Sequence, residues 1–283
     1  MREPLASQLP AATIVVYEHL LLVGFLAPFL PSAVRAVWAA SVRTKIAVLV
    51  IGGGSSALAA TLFTAAFTFG DPVTPQVLQK LQPLIAMTLA AVLLGERMSR
   101  RFPLFALPAL AGSWLLAFPD PFAVSLSTAM GALLAFGAAA LWACGTVLGR
   151  VAGAELTAMQ VTMLRFTVGL VAAVCIALAS GSSLVFSPLT WSNVGLLVLL
   201  ALVPGLISLV AYYYGLRATP ATRATLAELA FPLTAALVGV LVLGARLDAS
   251  QWVGFAIALV AVTGLSLHER RSQQAAVTVR ADR

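Results

Sequence analysis

Charge is what this sequence has least of. Lys and Arg number 17 and Asp and Glu 10 in 283 residues, so charged residues are 10% of the chain while 61% are hydrophobic. A soluble domain carries roughly 25% charged residues, and a chain this poor in charge cannot cover a surface that faces water. Histidine and cysteine are nearly absent too, at two each. His19 lies in an apolar run, His268 lies beyond the last one, and no Asp falls inside any run. A zinc protease needs paired His at helical spacing and an aspartyl protease needs two Asp, so both chemistries are excluded and no enzyme is expected. Cys144 and Cys175 lack disulfide or metal spacing and read as packing residues. No P-loop is present, which argues against ATP as the direct energy source, and no cofactor is expected. No cleavable leader is evident, because Arg2 and Glu3 precede an apolar stretch of full span length.

Long apolar runs are what remains. A spanning helix needs about 20 mostly apolar residues to cross roughly 30 Å of hydrocarbon. A membrane β-barrel would alternate apolar and polar residues, whereas Ile46 to Phe69 is continuous and uncharged. The chain therefore reads as an all-α integral membrane protein with about nine spans: 11–30, 46–69, 73–94, 102–118, 130–149, 157–179, 194–216, 222–243 and 251–267. Pro, Gly, Asp or Ser mark most of the short connections, such as Asp71-Pro72 and Pro119-Asp120-Pro121.

The net charge of +7 is distributed by side. Arg35, Arg43 and Lys45 follow the first span; Arg97, Arg100 and Arg101 the third; Arg150 the fifth; Arg217 the seventh; Arg270 and Arg271 the ninth. The alternate connections carry Asp71, Asp120, no charge around Gly181, and Arg246 with Asp248. Basic residues favour cytoplasmic loops, so the C-terminus is expected in the cytoplasm and the N-terminus outside. The positive charge is then an orientation signal rather than a nucleic-acid surface.

The two halves resemble each other. Residues 82–97 align with 231–246 at an offset of 149, matching Pro83, Leu84, Ala86, Leu94, Gly95 and Arg97 to Pro232, Leu233, Ala235, Leu243, Gly244 and Arg246. Upstream, Gln8-Leu9 and the helix after it align with Glu155-Leu156 and the helix after that. Spans one to four thus correspond to six to nine, with opposite direction across the membrane. Inverted repeats of this kind are a signature of alternating-access transporters.

The stretch from Pro83 through Leu94-Gly95-Glu96-Arg97, its partner from Pro232 through Leu243-Gly244, and the Trp142 helix ahead of the second repeat resemble the drug/metabolite transporter superfamily, specifically its EamA-type transporters. The resemblance covers nearly the whole chain. It implies ten helices in two five-helix inverted repeats with both termini cytoplasmic, and a secondary transporter of small metabolites. This sequence departs by lacking the first helix, either as a nine-helix variant or because it starts at an internal Met. The expected domains are a first repeat at 1–122, a second at 127–268 and a cytoplasmic tail at 269–283.

Ionisable groups in hydrocarbon cost about 2.5 kcal/mol or more, so those inside spans are functional candidates: Glu18, His19, Lys80, Arg165 and Glu228. Glu18 and Lys80 each lie seven residues inside the outer end of a span, and Arg165 and Glu228 lie eight and six residues inside the inner ends. Two readings are open. Glu18 pairs with Lys80 and Arg165 with Glu228, gating the path from opposite sides; or the basic side chains snorkel to the headgroups and the glutamates are protonated. Gln79 and Gln82 share a helix face beside Lys80. Pro83 and Pro232, placed mid-span, would free backbone carbonyls for substrate. Trp142 lies deep enough to line a cavity or to pack in the core. Tyr212, Tyr213 and Tyr214 read as an interfacial aromatic belt, and Gly52-Gly53-Gly54 and the Gly145/Gly149 spacing as close helix packing. The expected function is a secondary transporter, an exporter of a small amphipathic metabolite, amino-acid-like compound or drug across the cytoplasmic membrane. Its expected partners are the lipid bilayer, that small-molecule substrate and protons as coupling ion. A channel or a non-transporting scaffold is the alternative.

Overall fold

The structure, a computed structural model, describes residues 5–6, 8–69, 79, 81–95, 101–117, 129–185, 190–220, 224, 248–261 and 263–264. All regular structure among them is helical, as a segment in lipid requires when it must satisfy its own backbone hydrogen bonds. In chain order the helices are α1 (Ala11–Ala39), α2 (Val42–Ala66), α3 (Gln82–Leu94), α4 (Phe102–Ala117), α5 (Ala129–Ala152), α6 (Ala158–Ala179), α7 (Trp191–Ala218) and α8 (Ala249–Ala261). Among the described residues five helices, α1, α2, α5, α6 and α7, are long and apolar enough to cross a membrane, and α3, α4 and α8 contain shorter apolar segments. α1 to α7 follow the first seven expected spans and α8 the ninth. Of the eighth expected span only Ala224 is among the described residues.

Two helices run further than their apolar composition suggested. α1 passes through a 3-10 turn at Ala27–Phe29 and continues to Ala39 instead of ending at Leu30. Pro28 and Pro31 each fall in the first turn of a new segment, where a missing N–H forfeits no intrahelical bond, so the helix continues without stopping. The added segment buries only Ala33 and leaves Trp38 76% exposed. α2 begins at Val42 because Ser41 caps it, its side chain accepting from Thr44 N. α3 ends at Gly95, whose φ of 64° is the left-handed C-cap geometry that glycine adopts freely.

α2 and α7 each contain a π-helical stretch, Val50–Leu58 and Ala201–Ile207. Under the 149-residue offset of the sequence repeat, Ala201–Ile207 falls on 52–58, inside the stretch in α2. Pro204 removes a donor from the α7 ladder, which favours the wider register there.

The chain forms two compact units, Met1–Glu96 with Ser125–Ala224 and Arg97–Val124 with Thr225–Arg283. These units cut across the sequence repeats, since the first takes α1–α3 and α5–α7. In that unit α6 packs on the π stretch of α2 and on α1, while α5 packs on α2 and α3. Leu22, Leu26, Ile51, Val161, Met163, Phe166, Tyr213 and Leu216 form the largest apolar cluster between them. In the second unit α4 meets α8 through Gly112, where a Cβ would stand 2.6 Å from Ala258 N.

Candidate functional site

A polar cluster lies within the apolar interior of the first unit, built from α1, α2, α5, α6 and α7. Its centre is Arg165 on α6. Arg165 Nε donates to Ser56 Oγ at 3.3 Å, Nη1 to Tyr213 OH at 3.1 Å, and Nη2 to Ser55 O at 3.2 Å. The π register explains why a mid-helix carbonyl is within reach. It carries Ala59 N–H onto Gly54 O instead of the Ser55 O that an α-helix would use. His19 on α1 extends the network: its Nδ1 donates to Val15 O at 2.8 Å, and its Nε2 lies 2.9 Å from Ser56 Oγ. Arginine can only donate and a carbonyl can only accept. The network is therefore satisfied when Ser56 accepts from Arg165, gives its own proton to His19 Nε2, and the neutral imidazole keeps its proton on Nδ1. His19 is 2% exposed and packs edge-on against Phe166, ring centroids 5.4 Å apart.

Small residues on α5 bring this cluster together. A Cβ at Gly145 would land on Ser55 Oγ, and one at Gly149 would lie 2.8 Å from Tyr213 Cε1, so the Gly145/Gly149 face is a groove that receives α2 and α7. Beside it Tyr212 OH donates to Thr146 Oγ1 at 2.9 Å. The aromatic-belt expectation is therefore corrected for two of the three tyrosines. Tyr213 is 1% exposed and bonds Arg165, Tyr212 turns toward α5, and Tyr214 alone is exposed. Helix rotation, which three consecutive tyrosines do not reveal, decides this. Ser55 Oγ is buried and has no hydrogen-bond partner among the described residues.

Long apolar helices that pack around a half-buried cation suit a membrane transporter, and comparison with known families agrees. The sequence profile of the EamA-like transporter family matches residues 2–118 and again 129–267. The chain belongs to that family. An uncharacterized transporter of Bacillus subtilis strain 168, YwfM, is 31% identical over 223 residues, covering 75% of this chain and 70% of the relative. The riboflavin transporter ImpX of Fusobacterium nucleatum subsp. nucleatum is 29% identical over 229 residues, covering 77% and 74%. A crystal structure of a protein at 20% identity superposes with a TM-score of 0.74 over 94% of this chain and 90% of that one, which shows a shared fold. Family and apolar helices together make this a multi-pass membrane protein of the transporter class.

In this EamA-like transporter the candidates read from the sequence are distributed as follows. Arg165 joins His19 in the cluster, and Glu18, one residue from His19, is 5% exposed. Gln79 and Gln82 are half-buried. Pro83 sits in the first turn of α3 rather than interrupting it, so within the described helix it displaces no backbone bond. Trp142 is half-buried with its ring edge-on to Phe63 at 5.1 Å, which is packing between α5 and α2. Cys144 is half-buried, whereas Cys175 is exposed on α6. Lys80, Glu228 and Pro232 lie outside the described residues, and with them both proposed charge pairs. Ser55, Ser56 and Tyr213 are the members that sequence reasoning missed. The one available signal was Ser55-Ser56, a polar pair inside an otherwise apolar run.

Two contacts at the helix ends mirror each other. Glu155, ahead of α6, accepts at the start of α2 from Ser41 Oγ and Thr44 Oγ1 at 2.6 Å each and from Ser41 N at 2.8 Å. These bonds, the Ser41 hydroxyl first and Thr44 next, hold its carboxyl down at about 2. Gln8, ahead of α1, accepts through Oε1 from Asn193 Nδ2 at 3.0 Å at the start of α7, where Thr190 is the cap. Gln8 aligns with Glu155, and Ser41 and Thr44 align with Thr190 and Asn193. At the Glu155 end Arg150 also donates to the terminal carbonyls of Leu216 and Arg217, and Arg217 Nε donates to Gly153 O at 3.0 Å.

Proposed function

We propose that this chain is a secondary transporter that exports a small amphipathic metabolite, amino-acid-like compound or drug across the cytoplasmic membrane by alternating access. The observation that carries this reading is Arg165, a cation in an apolar helix packing held by Ser55, Ser56 and Tyr213 on two other helices. A charge in hydrocarbon is expensive and is retained where it serves a path. The halves act as inverted repeats, 1–122 and 127–268, with the N-terminus outside and the C-terminus in the cytoplasm. The alternation of basic loops supports the orientation. The double match of the family profile, the aligned π stretches and the mirrored Gln8 and Glu155 contacts support the repeat.

Glu18, Gln79, Lys80, Gln82, Pro83, Trp142, Arg165, Glu228 and Pro232 are the proposed pathway and gating residues. Glu18 with Lys80 and Arg165 with Glu228 open and close its two mouths, and protons are the coupling ion. Reconstitution into proteoliposomes tests the reading. Saturable uptake that an internal load of the same compound accelerates identifies a carrier. Flux without saturation identifies a channel, and no flux across a broad substrate panel leaves a scaffold.

A further inference from the structure

We infer that the transported molecule carries a single carboxylate, and that Arg165 is its anchor. The inference rests on the transporter reading and deepens it. A guanidinium has five N–H donors. Three go to Ser56 Oγ, Tyr213 OH and Ser55 O, all neutral oxygens, which leaves two N–H groups and the unit charge unmet among the described residues, for the ligand in the state in which the proposed gating contact with Glu228 is open. The residue is half-buried rather than sealed. Three anchors on two helices fix the plane of the fork before any ligand arrives, which reduces the ordering cost of binding. A second observation points the same way. Ser55 Oγ is buried, is without a partner among the described residues, and shares the Gly145 wall with Arg165 Nη1, the latter 3.9 Å from where a Gly145 Cβ would stand.

The site is thus rich in donors. Arg165 is the one permanently charged cation in the described cluster. Two remaining N–H groups, one on each terminal nitrogen, and one positive charge suit a carboxylate, which a guanidinium can hold through two bonds. A phosphate dianion would need further cations, which the described cluster lacks. Apolar residues dominate the surrounding helix packing, Phe166 and Leu164 among them, so the remainder of the ligand is apolar or aromatic.

The test uses purified full-length protein in neutral detergent. Benzoate, phenylacetate and N-acetylphenylalanine, each beside its neutral amide, are titrated by thermal unfolding, and the same pairs are run as counterflow substrates in phosphatidylcholine vesicles. The expected result is stabilisation by a carboxylate and not by its amide. The half-saturating concentration should rise about tenfold or more in Arg165→Lys, which keeps the charge and loses the fork. Arg165→Gln should show no response. If Arg165→Gln fails to fold, Ser56→Ala serves: it removes one anchor and should weaken carboxylate binding while leaving the amides unchanged.

Equal effects of acid and amide overturn the inference, as does an unchanged Arg165→Lys, an absent response to every carboxylate, or a response that requires Glu228→Gln first. Stabilisation by phosphatidylglycerol in place of the soluble acids also overturns it, by identifying a lipid headgroup. Saturable counterflow of amides alone leaves the carrier reading standing and this inference refuted. Carboxylate binding without any flux refutes the carrier reading and, with it, the claim that the bound carboxylate is cargo.

Discussion

Replacing Gly52 by alanine probes whether the approach of α2 to α6 holds the Arg165 cluster in place. A Cβ at Gly52 would stand 2.5 Å from Val168 Cβ, 2.7 Å from its Cγ1 and 3.0 Å from Arg165 O. None of these atoms is the far end of a flexible side chain, so the two helices must separate at the turn that carries Arg165. Overpacking of this kind costs about 1–3 kcal/mol, and the upper end applies because backbone has to move. Alanine returns about 1 kcal/mol in helix propensity, so the expected net loss is about 2 kcal/mol. Gly24 supplies the control: nothing lies within 4 Å of its Cβ position, and Gly24→Ala should be neutral or stabilising by about 0.5–1 kcal/mol. The gap between the two variants should therefore approach about 3 kcal/mol, read by reversible unfolding in mixed micelles. Val168→Gly removes both clashing side-chain atoms, so Gly52→Ala with Val168→Gly should lose less than the sum of the two single losses. Transport should fall in Gly52→Ala by more than the loss of folded protein explains, because Arg165 is displaced from Ser55 and Ser56. The reasoning fails if Gly52→Ala proves as stable as Gly24→Ala.

Four further outcomes are expected. Glu155→Ala should abolish the slow hydrogen exchange of the Ser41 amide, whose N–H bonds Glu155 at 2.8 Å. Because that carboxyl is held at about 2, below the ordinary 4.5, its contribution is complete above pH 4.5 and is lost as pH falls toward 2, so exchange corrected for its intrinsic rate should be flat from pH 7 to 5. Single cysteines at the exposed positions Val185 and Ala154 test the orientation: an impermeant reagent should label 185 from outside and miss 154, and the opposite pattern would refute the inverted topology. Glu18→Gln and Lys80→Gln should each cost about 3–5 kcal/mol if the two pair, with the double variant losing less than the sum and simple additivity showing that they are independent. Tyr213→Phe should lower stability by about 1.5–3 kcal/mol through the lost bond to a charged group, while Tyr214→Phe, on an exposed residue, should change little.

The membrane class and most helix positions were legible in the sequence because transfer into lipid is a local quantity, summed residue by residue along a run. Ile46 to Phe69 announces a span whatever its neighbours are. The glycine packing at Gly52, Gly145 and Gly149 was legible for a related reason, since only a missing Cβ allows backbones so close. Boundaries were less so: α1 continues to Ala39 because Pro28 and Pro31 fall at first-turn positions, and their number in the chain does not reveal that phase.

What tertiary structure alone decided is which polar groups meet. A run apolar all around its circumference has no stripe to set its rotation, so nothing in the sequence turns Tyr213 inward and Tyr214 outward. Arg165 was visible as a costly charge, yet its partners Ser55, Ser56 and Tyr213 lie 110, 109 and 48 residues away. Reaching Ser55 O also required a π register that no local propensity signals. The sequence by itself determined that this chain lives in lipid and carries charges there at a cost; the packing of α6 against α2 and α7 decided what one of those charges holds, because hydrogen bonding depends on distances that only the assembled helices set.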